Sequence, residues 1–165
     1  MPKVTIAAIN GACAGAGMSW ASACDLRYAA RSAKFNTAFL NAGLSGDFGG
    51  TWTLPRIVGP AKARELYLLA EKFDADDAER IGYVTRTVDD GDLMKVVREV
   101  ADNAAASAPL TVRAIKANLN DSLEMSFSDL MNREAERHQR CGTTRDSREA
   151  ARAFLEKRPP VFEGR

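Results

Sequence analysis

Residues 3–9 read KVTIAAI, a short, mostly apolar run between Pro2 and Asn10, which predicts a buried strand. Small residues follow from Gly11 to Gly17 and predict a loop. Residues 18–24 predict a helix of two turns at most, and residues 25–30 and 33–39 predict two further short strands. A second glycine-bearing loop, GLSGDFGG, covers residues 43–50. Beyond it the period becomes helical. Residues 51–58 and 61–69 predict helices broken by Gly59-Pro60. Residues 75–81 predict a short helix with Asp74 as its N-cap and Gly82 as its stop, then a strand over 83–88. Leu93, Val96, Val97, Val100 and Ala104 give residues 92–106 a helical stripe, and Leu110, Ala114, Ala117 and Leu123 do the same for 109–125. Residues 128–139 and 145–156 predict charged amphipathic helices, and Pro159-Pro160 keeps the tail from continuing the last one.

Strands thus gather in the front of the chain and helices in the back, with no linker-like composition break and no visible repeat. At 165 residues the chain has the size of about one domain. Its 23 Lys and Arg nearly cancel its 22 Asp and Glu, which argues against a dedicated nucleic-acid binder. No stretch reaches the ~18 consecutive apolar residues of a membrane helix, and MPKVTIAAIN lacks the features of a signal peptide. Cys13, Cys24 and Cys141 show no paired spacing, which fits a reducing compartment and a cytoplasmic protein. The single histidine, His138, sits in the charged run EAERHQR and reads as a solvated face. That leaves little room for a Ser-His-Asp triad or a multi-histidine metal site.

The first glycine loop, GACAGAG, is similar in spacing to the dinucleotide-binding turn of short-chain dehydrogenases. Two features oppose that reading. Only about seven residues separate Gly17 from the next extended run, whereas a parallel crossover needs a dozen or more. The Tyr-x-x-x-Lys pair is also missing, because Tyr28, Tyr67 and Tyr83 are followed at that spacing by Ser32, Glu71 and Thr87. A small-residue loop kept for close packing is the plainer alternative.

A more specific resemblance spans the chain. KVTIAAINGACAGAGMSWASACDLRYAA, then AKFNTAFLNAGLSGDFGGTWTLPRIVGPAKARELYLLAEKFDADDAERIGYVTRTV, then AFLEKRPPVF resemble the crotonase superfamily, the enoyl-CoA hydratase/isomerase family. The resemblance implies an α/β fold, part of a ββα spiral over residues 1–90, followed by a helical trimerisation and CoA-contacting region over 91–165. It implies an acyl-CoA or enoyl-CoA substrate, with coenzyme A part of the substrate and no separate cofactor. It also implies a homotrimer or dimer of trimers, with no nucleic-acid or membrane partner. The family's shared device is a pair of backbone N–H groups that hold the thioester oxygen as an enolate develops, where one donor contributes roughly 3–4 kcal/mol. By alignment one donor is Ala16 N–H, with Gly15 in the small-residue loop that lets the thioester approach. The second lies in the family before the segment matching residue 3, so a fragment is expected.

The acid–base residues depart from the family pattern. The two hydratase glutamates correspond to Ser19 and Phe39, neither of which acts as a carboxylate base. Asp47 stands in the second loop, where several isomerases of the family carry Asp. A carboxylate facing an apolar acyl pocket has its pKa raised by desolvation, as a proton shuttle requires. The competing role for Asp47 is a helix cap or Asx turn before residue 51. Phe154 and Lys157 match an aromatic and a lysine that in relatives contact the adenine and ribose-phosphate end of CoA. The alternatives there are helix core for Phe154 and a solvated end for Lys157. Trp52 reads as packing. The expected activity is enoyl-CoA double-bond isomerisation; a non-catalytic acyl-CoA binder and an inactive fragment are the alternatives.

Overall fold

The computed structural model describes residues 1–165. The chain's contacts divide it into two compact units, Thr5–Glu99 and Met1–Val4 with Val100–Arg165. The first unit holds all the strands. Strand β1 (Ile6–Ile9) pairs in parallel with β3 (Leu26–Ala30), and β3 with β6 (Arg86–Val88). A second sheet sets β2 (Ala12–Ala14) parallel to β4 (Lys34–Asn36), which pairs antiparallel with β5 (Phe73–Asp74).

The first four strands therefore alternate between two sheets, β5 stays in the sheet of β4, and β6 returns to that of β3. β1 and β2 are followed by helix α1 (Ala16–Ser22), and β3 and β4 by α2 (Gly50–Val58) and α3 (Pro60–Leu69). In the last turn α4 (Ala75–Arg80) lies between β5 and β6. This β-β-α repetition is structural and leaves no trace as a sequence repeat. The segment predicted as a loop over 11–17 contains β2. Its three residues alternate exposed, buried, exposed, so only Cys13 faces inward and no apolar run marks the strand. The strand predicted over 83–88 shortens to β6, because Tyr83 and Val84 amides bond back to Ala78 O and close the end of α4 instead.

Helix boundaries follow local chemistry. Asp74 caps α4 through its carboxylate, which accepts from Asp77 N at 2.9 Å. Gly59 takes φ 81° before Pro60 opens α3, so the break between α2 and α3 combines a conformation suited to glycine with proline's preference for the first helical position. The core joins Phe35, Tyr83, Leu54, Met18 and small residues from α1, α3 and α4. Phe35 stacks on Phe73 at 5.3 Å and meets Tyr83 edge-on at 5.5 Å. The buried Tyr83 hydroxyl donates to Met18 O at 3.0 Å and pairs with Ser22 Oγ at 3.2 Å, which ties the last loop to α1. Burial pushes the Cys13 thiol up to about 11, so it is an inert core residue.

Helix α5 (Leu93–Ala105) runs across the division between the units. In the second unit Arg137, on α7 (Phe127–Gly142), binds Asn118 Oδ1 and Asp121 Oδ2, both at 2.7 Å, on α6 (Pro109–Asp121). Helix α8 (Arg145–Glu156) holds the tail. Asp146 is buried and accepts from Glu163 N and Gly164 N, and Glu149 forms a two-pronged pair with Arg158 at 2.6 and 3.0 Å.

Candidate functional site

The small-residue turn is a structural corner before it is anything else. Strand β2 ends at Ala14 and Gly15 turns with φ 53° and ψ −122°, a conformation open to glycine. Its N–H donates to Asn36 O at 3.0 Å, which clamps the corner to the end of β4. Gly15 is also the N-cap of α1, and its carbonyl accepts from Ser19 N at 3.0 Å. Ala16 is the first helical residue, so its N–H has no partner inside the helix. No other acceptor in the chain takes it. Ala16 is half-buried and Gly17 is exposed, so this free amide lies at an edge of the unit rather than inside it.

The two positions that correspond to the family's glutamates turn inward. Ser19 is buried one turn along α1, with Oγ 3.4 Å from Gly15 O. Phe39 is buried at the start of the 3-10 turn Leu40–Ala42. Its ring approaches both glycine loops: a Cβ on Gly15 would lie 3.8 Å from Phe39 Cζ, and one on Gly46 would lie 3.8 Å from Cδ2. An apolar spacer thus stands between the two loops where a carboxylate was expected in a hydratase.

Asp47 stands on the turn that follows Gly46. Its carbonyl accepts from Gly50 N at 3.1 Å, while Gly49 with φ 72° is the N-cap of α2. The Asp47 side chain therefore caps no helix, and the cap reading is set aside. The carboxylate is exposed, because no wall of this chain covers the 43–49 loop; the expected apolar enclosure is not supplied here. Its charge still reaches Tyr67. Burial lifts the Tyr67 phenol above its usual range, a hydrogen bond with Ser19 opposes the shift, and the Asp47 charge adds to it. Tyr67 was not legible as a site residue. Among Leu66, Leu68 and Leu69 of α3 it reads as packing, and only its proximity to Ser19 and Gly50 reveals otherwise.

Around Asp47 the surface is aromatic. Trp20 and Phe48 meet edge-on at 5.3 Å, and the Arg56 guanidinium lies 3.8 Å over the Trp52 ring. Trp52 is thus a half-exposed cation-π partner and not core. Backbone strain flanks the same region. Ala38, before Phe39, has φ 62°, and Phe48, after Asp47, has φ 47°. In the second unit Phe154 is 82% exposed, which removes the helix-core alternative for it. Lys157 is exposed and ends α8 in a left-handed conformation. His138 is exposed on α7.

Comparison with known proteins gives the family. Residues 1–165 match the enoyl-CoA hydratase/isomerase family from end to end. The chain belongs to that family. It is 39% identical over 98% of its length to a crotonyl-CoA hydratase of Syntrophomonas wolfei, of which it covers 62%. It is 38% identical over its whole length to the 1,2-epoxyphenylacetyl-CoA isomerase of Escherichia coli, of which it covers 63%. The solved enoyl-CoA hydratase of Bacillus anthracis superimposes with a TM-score of 0.97 at 31% identity, over 99% of this chain and 64% of that one. The α/β fold is accordingly the crotonase fold, and the alternating strands are turns of its spiral. The chain spans a little under two thirds of the length of these relatives. No helix is long and apolar enough to cross a membrane.

Proposed function

We propose that the protein is an acyl-CoA enzyme that moves the double bond of an enoyl-CoA, with Asp47 as the proton carrier. The observation that carries this reading is the fate of the hydratase positions. Ser19 and Phe39 are buried and bear no carboxylate, while Asp47 offers a carboxylate engaged in no cap and no hydrogen bond on the turn packed against them. Hydration by the standard route needs two carboxylates to hold and split water; a shift of the double bond needs one base.

The chemistry balances without any external reductant or oxidant. In a β,γ-enoyl thioester the Asp47 carboxylate takes the α-proton. The C–H pair moves towards the carbonyl and generates an enolate, whose oxygen is held by Ala16 N–H. The same carboxylic acid returns its proton to the γ-carbon, and the carbonyl re-forms over a conjugated double bond. Gly15 has no Cβ to obstruct the thioester at the corner. Phe154 and Lys157 are assigned to the adenine and phosphate end of CoA, by stacking and by a point cation on phosphate. Trimeric assembly and a cytoplasmic location belong to the same proposal, as does the absence of a cofactor beyond the CoA of the substrate.

A second reading, an acyl-CoA binder without turnover, is favoured by the same loss of carboxylates at Ser19 and Phe39. The two are separated by assaying the full-length protein with 3-enoyl-CoA and 2-enoyl-CoA. Isomerisation that Asp47→Asn abolishes, with little hydration, supports the proposal. Saturable acyl-CoA binding with no turnover supports the binder, and unchanged isomerase activity in the variant removes Asp47 from the mechanism.

A further inference from the structure

The glycines on either side of Asp47 close on one tyrosine. A Cβ on Gly46 would lie 3.7 Å from Tyr67 Cε1. A Cβ on Gly50 would lie 2.4 Å from the Tyr67 hydroxyl and 2.4 Å from Ser19 Oγ. The Tyr67 ring, on α3, is therefore the seat of the 46–50 turn. The Tyr67 hydroxyl and Ser19 Oγ of α1 thus converge on one point beside Gly50. Ser19 in turn reaches back to Gly15 O, and Gly15 N is fixed to Asn36 O at 3.0 Å. One line of contacts thus runs from the turn that carries Asp47, through Tyr67 and Ser19, to the residue that precedes Ala16. The space these groups enclose with Met18, Thr37 and Leu54 is too tight to admit a water molecule, so they pack without water between them.

We propose that Tyr67 is a positioning residue that sets the distance between the Asp47 carboxylate and the Ala16 amide by tying the 46–50 turn to α1. Its catalytic consequence rests on the isomerase reading above. The physical reason is geometric. A base and an oxyanion donor on separate elements act on adjacent atoms of one small acyl group, and a misplacement of about 1 Å between them costs about 10²-fold in rate. The 46–50 turn has no side-chain cap to fix it: Gly49 offers α2 no side chain, and the Asp47 carboxylate accepts nothing. Ser19, which holds no carboxylate, is used instead as the anchor of the tyrosine. Phe39 keeps the two loops apart and Tyr67 keeps them together.

The test compares wild type, Asp47→Asn, Tyr67→Phe, Ser19→Ala and the Tyr67→Phe/Ser19→Ala double variant in the full-length protein. Tyr67→Phe removes one oxygen and no carbon, so the seat of the turn is retained and only the tie is cut. Each single variant is expected to lower isomerase kcat about 10- to 100-fold with KM and acyl-CoA Kd changed less than about twofold, and the double variant no further than either single, because both cut one link. Equal loss in KM and kcat/KM, with kcat preserved, would mark Tyr67 as a binding residue and overturn the inference. Unchanged kcat in both singles, with Asp47→Asn inactive, overturns it and leaves the isomerase reading standing. Hydrogen–deuterium exchange decides independently of turnover. Faster exchange of the 46–50 amides in both singles upholds the tie even where Asp47→Asn proves silent, and unchanged exchange refutes it.

Discussion

Gly50→Ala is a single-methyl test of how α1, α2 and α3 meet. Gly50 opens α2 with an ordinary backbone, so alanine is conformationally acceptable there. The obstacle is space. The new Cβ would stand 2.4 Å from two oxygens, Ser19 Oγ and Tyr67 OH, and 3.3 Å from Ser19 Cβ. Overpacking of this kind costs about 1–3 kcal/mol, towards the upper end here because two oxygens must move at once. The helix preference of alanine over glycine returns less than about 1 kcal/mol at a first helical position. The net expectation is a loss of about 2–3 kcal/mol, read from urea unfolding at fixed protein concentration. In a Ser19→Ala/Tyr67→Phe background both oxygens are gone and the nearest remaining atom is the residue-19 Cβ at 3.3 Å, so the same substitution is expected to cost about 1 kcal/mol or less. A cost below about 0.5 kcal/mol in the wild type, or an equal cost in both backgrounds, would refute the reasoning.

Leu54, 2% exposed where α2 meets the core, is expected to cost about 2–5 kcal/mol on truncation to alanine, again by urea unfolding. Ala38→Gly removes a left-handed alanine beside Phe39 and is expected to stabilise by about 0.5–1 kcal/mol, because the relief of strain exceeds the added freedom of the unfolded chain. In the second unit, the hydrogen bond from Arg158, with that from Val161 N–H, holds the Glu149 carboxyl down at about 2, against 4.5 ordinarily. A depressed carboxyl contributes stability that is present above its unfolded value and lost as pH falls towards the folded one. Protection of the Val161 amide should therefore persist at neutral pH and fade between about pH 4.5 and pH 2. Glu149→Gln should lack part of that protection already at neutral pH, and equal protection in the two proteins would show that the pair does not hold the tail.

How much of this was legible follows from what each residue type announces. Periodicity marked the helices of the back half well, since stripes such as Leu93, Val96, Val97 and Val100 repeat over several turns. Asp74 was readable as a cap because capping is local, and the structure shows its carboxylate on Asp77 N. Strand β2 was hidden because Ala, Cys and Ala carry neither bulk nor branching, and its identity comes from pairing with β4, which no local rule supplies. The glycines of the second loop were visible as a loop. The need for glycine at position 50 was not, because it arises from side chains 31 residues upstream and 17 downstream. Tyr67 was missed for the same reason: a tyrosine on an apolar helix acquires a role only when another helix brings Ser19 to its hydroxyl. Ala16 was placed by resemblance, and its free amide at the head of α1 agrees with that placement while leaving its use open to experiment.

The central claim is that the Ala16 amide holds a thioester oxygen. The most direct measurement is a titration of the uniformly 15N-labelled protein with a saturated acyl-CoA and, separately, with free CoA. The Ala16 N–H resonance is expected to move downfield along a saturating curve with the thioester and hardly to move with free CoA, which has no thioester carbonyl to present there. An Ala16 resonance that stays fixed while other amides saturate with the thioester would contradict the claim.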